Sequence, residues 1–224
     1  MERGQSGLRK MGDNDLADQQ AEIQRQFALR HSGMSDIPLK GKLPERPVGE
    51  PLRLHPFLEG KVRQEIITIG GKTTQELLAE LTQGGFRVSS YARSMMENPS
   101  FTTLPNPEQR DLVRLHVKDL GLKRDYPRTD EIYQKAQDLG LELCPAEVGP
   151  QYRLQNKNQP LGEWLAVAMK PIPASAGNPC VFRLGHGGGG LWLYGSWTEP
   201  GNAWDPEYGF VFTLPASNFR LLKA

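Results

Sequence analysis

Cys180-Val181-Phe182-Arg183-Leu184, then Gly185-His186-Gly187-Gly188-Gly189-Gly190, then Leu191-Trp192-Leu193-Tyr194-Gly195-Ser196-Trp197 is the stretch on which the fold turns. Two short apolar and aromatic runs flank a glycine loop that is too short for a crossover helix. That arrangement predicts an antiparallel hairpin. On either side of it, residues 148–155, 163–169 and 208–214 read as further strands, separated by Gly, Pro and Asn clusters. In the last of these, Tyr208, Phe210, Phe212 and Leu214 alternate with Gly209, Val211 and Thr213, which makes one face strongly aromatic. A mostly antiparallel sheet is the economical reading of this half.

Upstream the period changes. Residues 62–69 read as a strand rich in isoleucine, turned by Gly70-Gly71. Thr73-Thr74-Gln75-Glu76 is a capping box that opens a helix with Leu77, Leu78 and Leu81 on one face. A second helix is predicted from Ser89 or Ser90 to Glu97, closed by Asn98-Pro99, and a third from Thr129 to Leu139, stopped by Gly140. Between them, residues 112–118 alternate as a strand, with Val113, Leu115 and Val117 on one face and Arg114, His116 and Lys118 on the other. Residues 1–57 carry one thin helical stripe at 15–29, followed by Pro38, Pro44, Pro47, Pro51 and Pro56 among alternating charges. Such proline spacing blocks both helix and ladder.

The class read from these patterns is α+β: a small helix–strand unit packed with a mostly antiparallel, β-rich C-terminal half, behind a disordered N-terminal tail. The expected division is a tail and proline-rich linker over 1–57, then one domain over 58–224. Its helical part covers about 58–140 and its β-rich part about 141–224.

Composition excludes several classes. With 27 Lys+Arg against 26 Asp+Glu the net charge is +1, far from the basic footprint of a nucleic-acid-binding domain. Two cysteines cannot build a disulfide scaffold. The start of the chain never develops the apolar core of a secretory signal, and the apolar run at 164–169 is far short of the ~20 residues that span a bilayer. A cytoplasmic protein without a membrane segment is expected.

The motifs that carry chemistry elsewhere are weak here. Gly71-Lys72-Thr73 lies between a strand and a helix, but a phosphate loop needs a glycine where Ile66 stands. Gly185–Gly190 fits a dinucleotide pattern yet leads into a strand, and as an oxyanion loop it lacks a G-x-S-x-G elbow. His31, His55, His116 and His186 are dispersed, and neither Cys144 nor Cys180 has a second ligand nearby, so no metal and no cofactor is implied. Glu199, Asp205 and Glu207 share a loop, which is ordinary for a solvated acidic segment.

The most distinctive tract is Glu147-Val148-Gly149-Pro150-Gln151-Tyr152-Arg153-Leu154-Gln155, continued by Asn158-Gln159-Pro160 and Gly162-Glu163-Trp164. Read as a strand, it puts Gln151, Arg153 and Gln155 on one face opposite Tyr152 and Leu154. Long amides offer donors and acceptors together, and Arg offers a planar fork, so this face suits a polar ligand or a fixed pairing with Glu147 or Glu163. All four tryptophans fall in the same half, including Trp192 and Trp197. Aromatic rings beside amides are what carbohydrate or peptide binding needs, and equally what an antiparallel core contains.

The tract from Asp138-Leu139-Gly140-Leu141 through Gln159-Pro160 and Gly162-Glu163-Trp164 to Leu191-Trp192-Leu193 resembles a family of uncharacterised bacterial proteins over about residues 58–214. No activity, ligand or catalytic residue comes with that resemblance. It implies only a bacterial, cytoplasmic setting.

The expected function is a non-catalytic binding or interaction module using a polar-aromatic β-surface. Its candidate ligand-binding residues are Gln151, Arg153, Gln155, Glu147, Glu163, Trp192 and Trp197. The partner is a polar ligand or a protein, and no residue is designated catalytic. The alternative is a hydrolase of phosphodiester or glycosidic bonds, using either Glu147 with Glu163 or the Arg114-His116-Lys118 face.

Overall fold

The computed structural model describes residues 54–175 and 177–215, so the helical stripe at 15–29 and nearly all of the expected tail lie outside the described residues. The predicted hairpin forms at the glycine loop. β6 (Pro179–Gly187) and β7 (Gly190–Trp197) pair antiparallel from Cys180↔Trp197 to Gly187↔Gly190, with Gly188-Gly189 as a two-residue turn. They join β1 (Arg63–Ile69), β2 (Arg87–Val88), β3 (Glu108–His116), β4 (Trp164–Val167), β5 (Ile172–Pro173) and β8 (Gly209–Thr213) in one eight-stranded sheet. The order is β1-β3-β8-β4-β6-β7-β2, with β5 on β6. Only β4–β8 and β2–β7 are parallel. The α+β class and the mostly antiparallel sheet are therefore borne out, and β1 and β3 from the helical stretch share that sheet through β3–β8 pairing.

Among the described residues, four α-helices cover it. α1 (Thr74–Gln83), α2 (Ser90–Met96) and α4 (Val148–Gln155) bury Leu77, Leu81, Ala92, Met95, Val148 and Tyr152 against one face. α3 (Thr129–Asp138) buries Ile132, Tyr133 and Ala136 on the other, where Tyr133 meets Phe210 and Phe212 edge-on at 6.4 and 6.1 Å. The aromatic alternation of β8 is thus spent on the α3 core. Thr73 closes the expected capping box with Glu76, and Lys72 is held by Glu80 at 2.5 Å. Gly70 and Gly71 have φ of +77° and +70°, and a Cβ on Gly70 would meet Asn106 O at 2.2 Å. Glycine is required there for the tight turn, with no phosphate-binding role needed to explain it.

Two local expectations are overturned. Residues 148–155 form a helix, not a strand. Pro150 sits in the first turn, where its missing N–H has no intrahelical partner to lose. Gly149 lets the helix lie on the sheet, because a Cβ there would sit 2.5 Å from Phe182. Likewise the strand read as reaching Lys118 stops at His116. The Asp119 carboxylate takes the His116 N–H at 2.8 Å, and a 3-10 turn over Val117–Leu120 closes on left-handed Gly121.

Candidate functional site

The first residues of β1, β4 and β8 and the last residues of β3 end at the same border of the sheet, because β1 and β8 both run antiparallel to β3 and β4 runs parallel to β8. A cleft of about 890 Å³ opens there. Its walls are Gly60–Arg63 at the start of β1, Arg114 to His116 of β3, Gly162 to Leu165 at β4, and the Asp205 to Gly209 segment entering β8.

Arg114 is its floor. Only 8% of this residue is exposed, and it follows the fully buried Leu112 and Val113 along β3. Glu65 Oε1 accepts from Nη1 at 3.0 Å, and Glu163 Oε1 accepts from Nη2. Glu65 is also reached by Arg63 Nε at 2.9 Å, and its second oxygen accepts from the Tyr152 hydroxyl at 2.7 Å. Burial alone would lower the Arg114 pKa, but Tyr152, Glu163 and Glu65 around it raise it above its ordinary value. The guanidinium is a fixed cation between two carboxylates. Glu163 Oε2, by contrast, is buried without a donor.

An aromatic group adjoins the cleft on the opposite face of the sheet, the face that α3 covers, whereas Arg114 and Glu65 lie on the α4 face. Trp164 stands opposite Gly185, whose Cβ would fall 2.2 Å from the indole, so glycine leaves the room that the ring fills. Arg183 stacks over Trp164 at 4.4 Å and donates to the Tyr208 hydroxyl at 3.0 Å. Tyr194 lies 5.3 Å from Trp164 and stacks on Trp192 at 4.9 Å and 12°. Stacking of guanidinium on rings and rings on rings holds each side chain in one orientation.

The remaining charges of the cleft also have partners. Glu207 binds Lys118 at 2.6 Å, Asp205 accepts the Glu207 N–H at 2.8 Å, and Lys61 sits over the Phe57 ring at 3.6 Å. His116, exposed at the rim, faces Asp119 at 3.4 Å. The Arg114-His116-Lys118 trio is consequently not one strand face: Arg114 is inside, His116 is at the rim and Lys118 is on the following turn.

The candidates named from sequence are dispersed over the fold. Glu147, Gln151 and Gln155 recur every fourth residue along α4 and its N-cap, and they meet the backbone at the end of β1 and in the loop beside it. Glu147 accepts from Gly70 N at 2.9 Å and Leu104 N at 3.0 Å, Gln151 donates to Gly70 O at 3.3 Å, and Gln155 binds both N–H and C=O of Thr68 at 3.0 and 2.8 Å. Burial raises the Glu147 pKa despite those backbone donors. Arg153, fully buried on another side of the helix, donates to Gln159 Oε1 at 2.5 Å and to the Asn156 carbonyl, with its guanidinium 5.4 Å from the Phe86 ring. Lacking a carboxylate partner, it is pulled by burial down to about 10. Gln159 in turn donates to the Glu163 carbonyl at 3.1 Å, which links this network to the cleft wall. Trp192 joins the aromatic group, while Trp197 packs against the helix-side core.

Of the seven, only Glu163 lines the cleft. Glu65 and Arg183 are not among the residues singled out by sequence, although each carries a signal. Glu65 shares its strand face with Ile67 and Ile69, and Arg183 interrupts an apolar run: a charge on a face destined for burial needs a partner. Both cysteines are buried and free, and burial pushes the Cys180 thiol up to about 12 and Cys144 higher still, which removes thiolate chemistry. Among the described residues no three His, Cys, Asp or Glu side chains are placed to hold a metal ion, and no helix is long and apolar enough to cross a membrane. No family model, curated protein or solved structure matches the chain.

Proposed function

We propose that the protein is a non-catalytic binding module whose recognition site is the Arg114 cleft, and that its ligand is small and polar. The observation that carries this reading is the Arg114–Glu163 pair fixed on the cleft wall beside Trp164. The pair and the Trp164 ring line, from opposite faces of the sheet border, a concavity of the size that small-molecule sites occupy. Hydrolysis is less well supported. Glu147 is taken up by two backbone N–H groups away from the cleft, and Glu163 is bound by Arg114, so no pair of free carboxylates flanks the space.

The test is a thermal-shift and tryptophan-emission screen of the full chain against nucleotides, sugars, amino acids and small anions. At least one class should raise the melting temperature and change the emission. The response should be lost in Trp164→Ala and weakened in His116→Ala, whose exposed ring can be removed without touching the core. A wild-type protein that responds to nothing, or variants that respond as the wild type does, would overturn the reading.

A further inference from the structure

β1 is the outermost strand on its side of the sheet, and among the described residues no strand pairs with its outer edge. Thr68 donates its N–H to the Gln155 side chain and accepts from the same amide at its C=O, so both groups point outward. Backbone direction alternates along a strand, so Gln64 and Ile66 aim their N–H and C=O the same way. Natural sheets blunt such an edge with Pro, Lys or a bulge. Residues Arg63–Ile69 contain neither Pro nor Lys, and their register with β3 runs unbroken from Arg63↔Arg114 to Ile69↔Glu108. Ile66 is 61% exposed, and of the large apolar side chains that stand in water among the described residues it is the one that belongs to a strand. The edge is open and apolar at its centre, with Gln155 closing one end.

The charge pattern of this edge is complementary to itself. Two copies joined edge to edge about a twofold axis pair their β1 strands antiparallel, with outward-pointing residues opposite one another in hydrogen-bonded pairs. Gln155 holds Thr68, which leaves Val62, Gln64 and Ile66 to pair. A twofold on Ile66 or beyond would need the Thr68 groups. One on Arg63 would set two arginines face to face, and one on Glu65 two glutamates, and like charges directly opposite are destabilising. A twofold on Gln64 instead sets Arg63 of each copy opposite Glu65 of the other, in the closely spaced non-hydrogen-bonded position. It also lays the exposed Ile66 beside Val62 of the second copy, which is half-buried against the apolar core under α3. Thr68 then falls opposite residue 60 of the second copy, where Gly60, at φ +73°, has already turned the chain off the strand line. Gln155 keeps its bonds and ends the ladder.

We infer that two copies of this chain pair through their β1 edges, antiparallel about Gln64, so that the two sheets become one. The pairing does not depend on what the Arg114 cleft binds. Sedimentation velocity and light scattering of the full chain, from about 5 µM to about 500 µM, test it, because a dimer follows mass action. The mean mass should rise from that of one chain toward that of two. Ile66 lies outside both cores, so Ile66→Lys should leave the circular dichroism spectrum unchanged. It should raise the dissociation constant at least about tenfold by putting a charge on the edge. Gln64→Cys reads the register. Across a hydrogen-bonded antiparallel pair the Cα atoms stand about 5.5 Å apart, within the span of a disulfide. Mild oxidation should link two Gln64→Cys chains and leave Ile66→Cys chains unlinked, since Ile66 lies opposite Val62. The native Cys144 and Cys180 are buried and take no part. A chain that stays monomeric throughout would overturn the pairing and leave the edge to a strand of another protein. So would a dimer that Ile66→Lys leaves intact, or one that is linked through Ile66→Cys instead of Gln64→Cys.

Discussion

Glu147 and Glu163 bracket the same helix and loop, both are largely withdrawn from water, and they do opposite things. Glu147 gives both oxygens to backbone N–H groups, of Gly70 and Leu104. Glu163 gives one oxygen to the Arg114 side chain and keeps the other without a donor. A carboxylate saturated by backbone cannot be released without opening the turn it holds. A carboxylate held by a side chain at a cleft can exchange partners with a ligand. The same contrast separates Gln151 and Gln155, which hold the end of β1, from Trp164, which stands on the wall. Polarity on a buried element is no guide to recognition until its partners are known.

Arg153→Ala puts this contrast under the greatest load. Arg153 belongs to the fold side: it is fully buried, and its loss empties space beside Phe86 while stranding Gln159 Oε1 and the Asn156 carbonyl. The expected cost is about 3 kcal/mol in urea unfolding. Arg153→Met should recover much of that, since it refills the volume and removes a buried cation that has no carboxylate partner. A loss under about 1 kcal/mol for the alanine variant would place Arg153 with the exchangeable groups instead.

How much of this is legible in the sequence depends on which residues are asked. The hairpin at Gly188-Gly189, the Thr73 capping box and the β8 alternation all read correctly, because each signal is local and agrees with its surroundings. The stretch 148–155 misleads because Gly149 and Pro150 look like breakers. Here one sits at a close approach to Phe182 and the other in a first turn, and only the packing decides that. The helical spacing of Glu147, Gln151 and Gln155 is visible in the bare sequence. Arg114 is visible too, as one of three residues on a strand face that reads as solvated. That α4 covers this face and brings Tyr152 to Glu65 is a tertiary fact with no local trace. Glu163 stands out in its tract, but its pairing with Arg114 joins positions far apart in the chain and cannot be read from either end alone.

Glu147→Gln probes the saturated carboxylate more gently. The amide offers one acceptor where two backbone donors point, so one N–H is left facing an NH2 group, at a cost of about 2 kcal/mol. Its pH dependence has a definite sign. Burial raises the folded-state pKa of Glu147 above that of an unfolded glutamate, about 4.3. The stabilisation tied to that shift is fully present below the unfolded value and is lost as pH rises through the folded one. The stability gap between wild type and Glu147→Gln should therefore be wider near pH 4 than near pH 7, as read by paired denaturant melts. A gap that widens toward neutral pH would mean that the two backbone donors outweigh burial, and Glu147 would then be held as an ordinary ionised cap.

The smallest effect is expected at Gln155, where the two roles of a polar side chain separate most cleanly. Its side-chain amide binds both the N–H and the C=O of Thr68, as a neighbouring strand would, on the outer edge of β1. Both residues are exposed, so in Gln155→Ala water replaces the lost bonds and the cost is about 1 kcal/mol or less. Stability is thus a poor readout of what the glutamine does. An open strand edge is a template for another chain, and Ile66, also exposed, lies two residues along the same edge. Gln155→Ala should speed amide exchange at Thr68 and raise the tendency to self-associate, read by sedimentation velocity, while ligand binding at the Arg114 cleft stays as in the wild type. Gln155→Glu, which keeps the acceptor for Thr68 N–H and loses only the donor, should fall between the two in exchange and self-associate no more than the wild type through its added charge. If Gln155→Ala instead weakened binding at the cleft, the edge and the cleft would be one coupled site, and the separation between polar groups that hold the fold and polar groups that face a ligand would not hold in this protein.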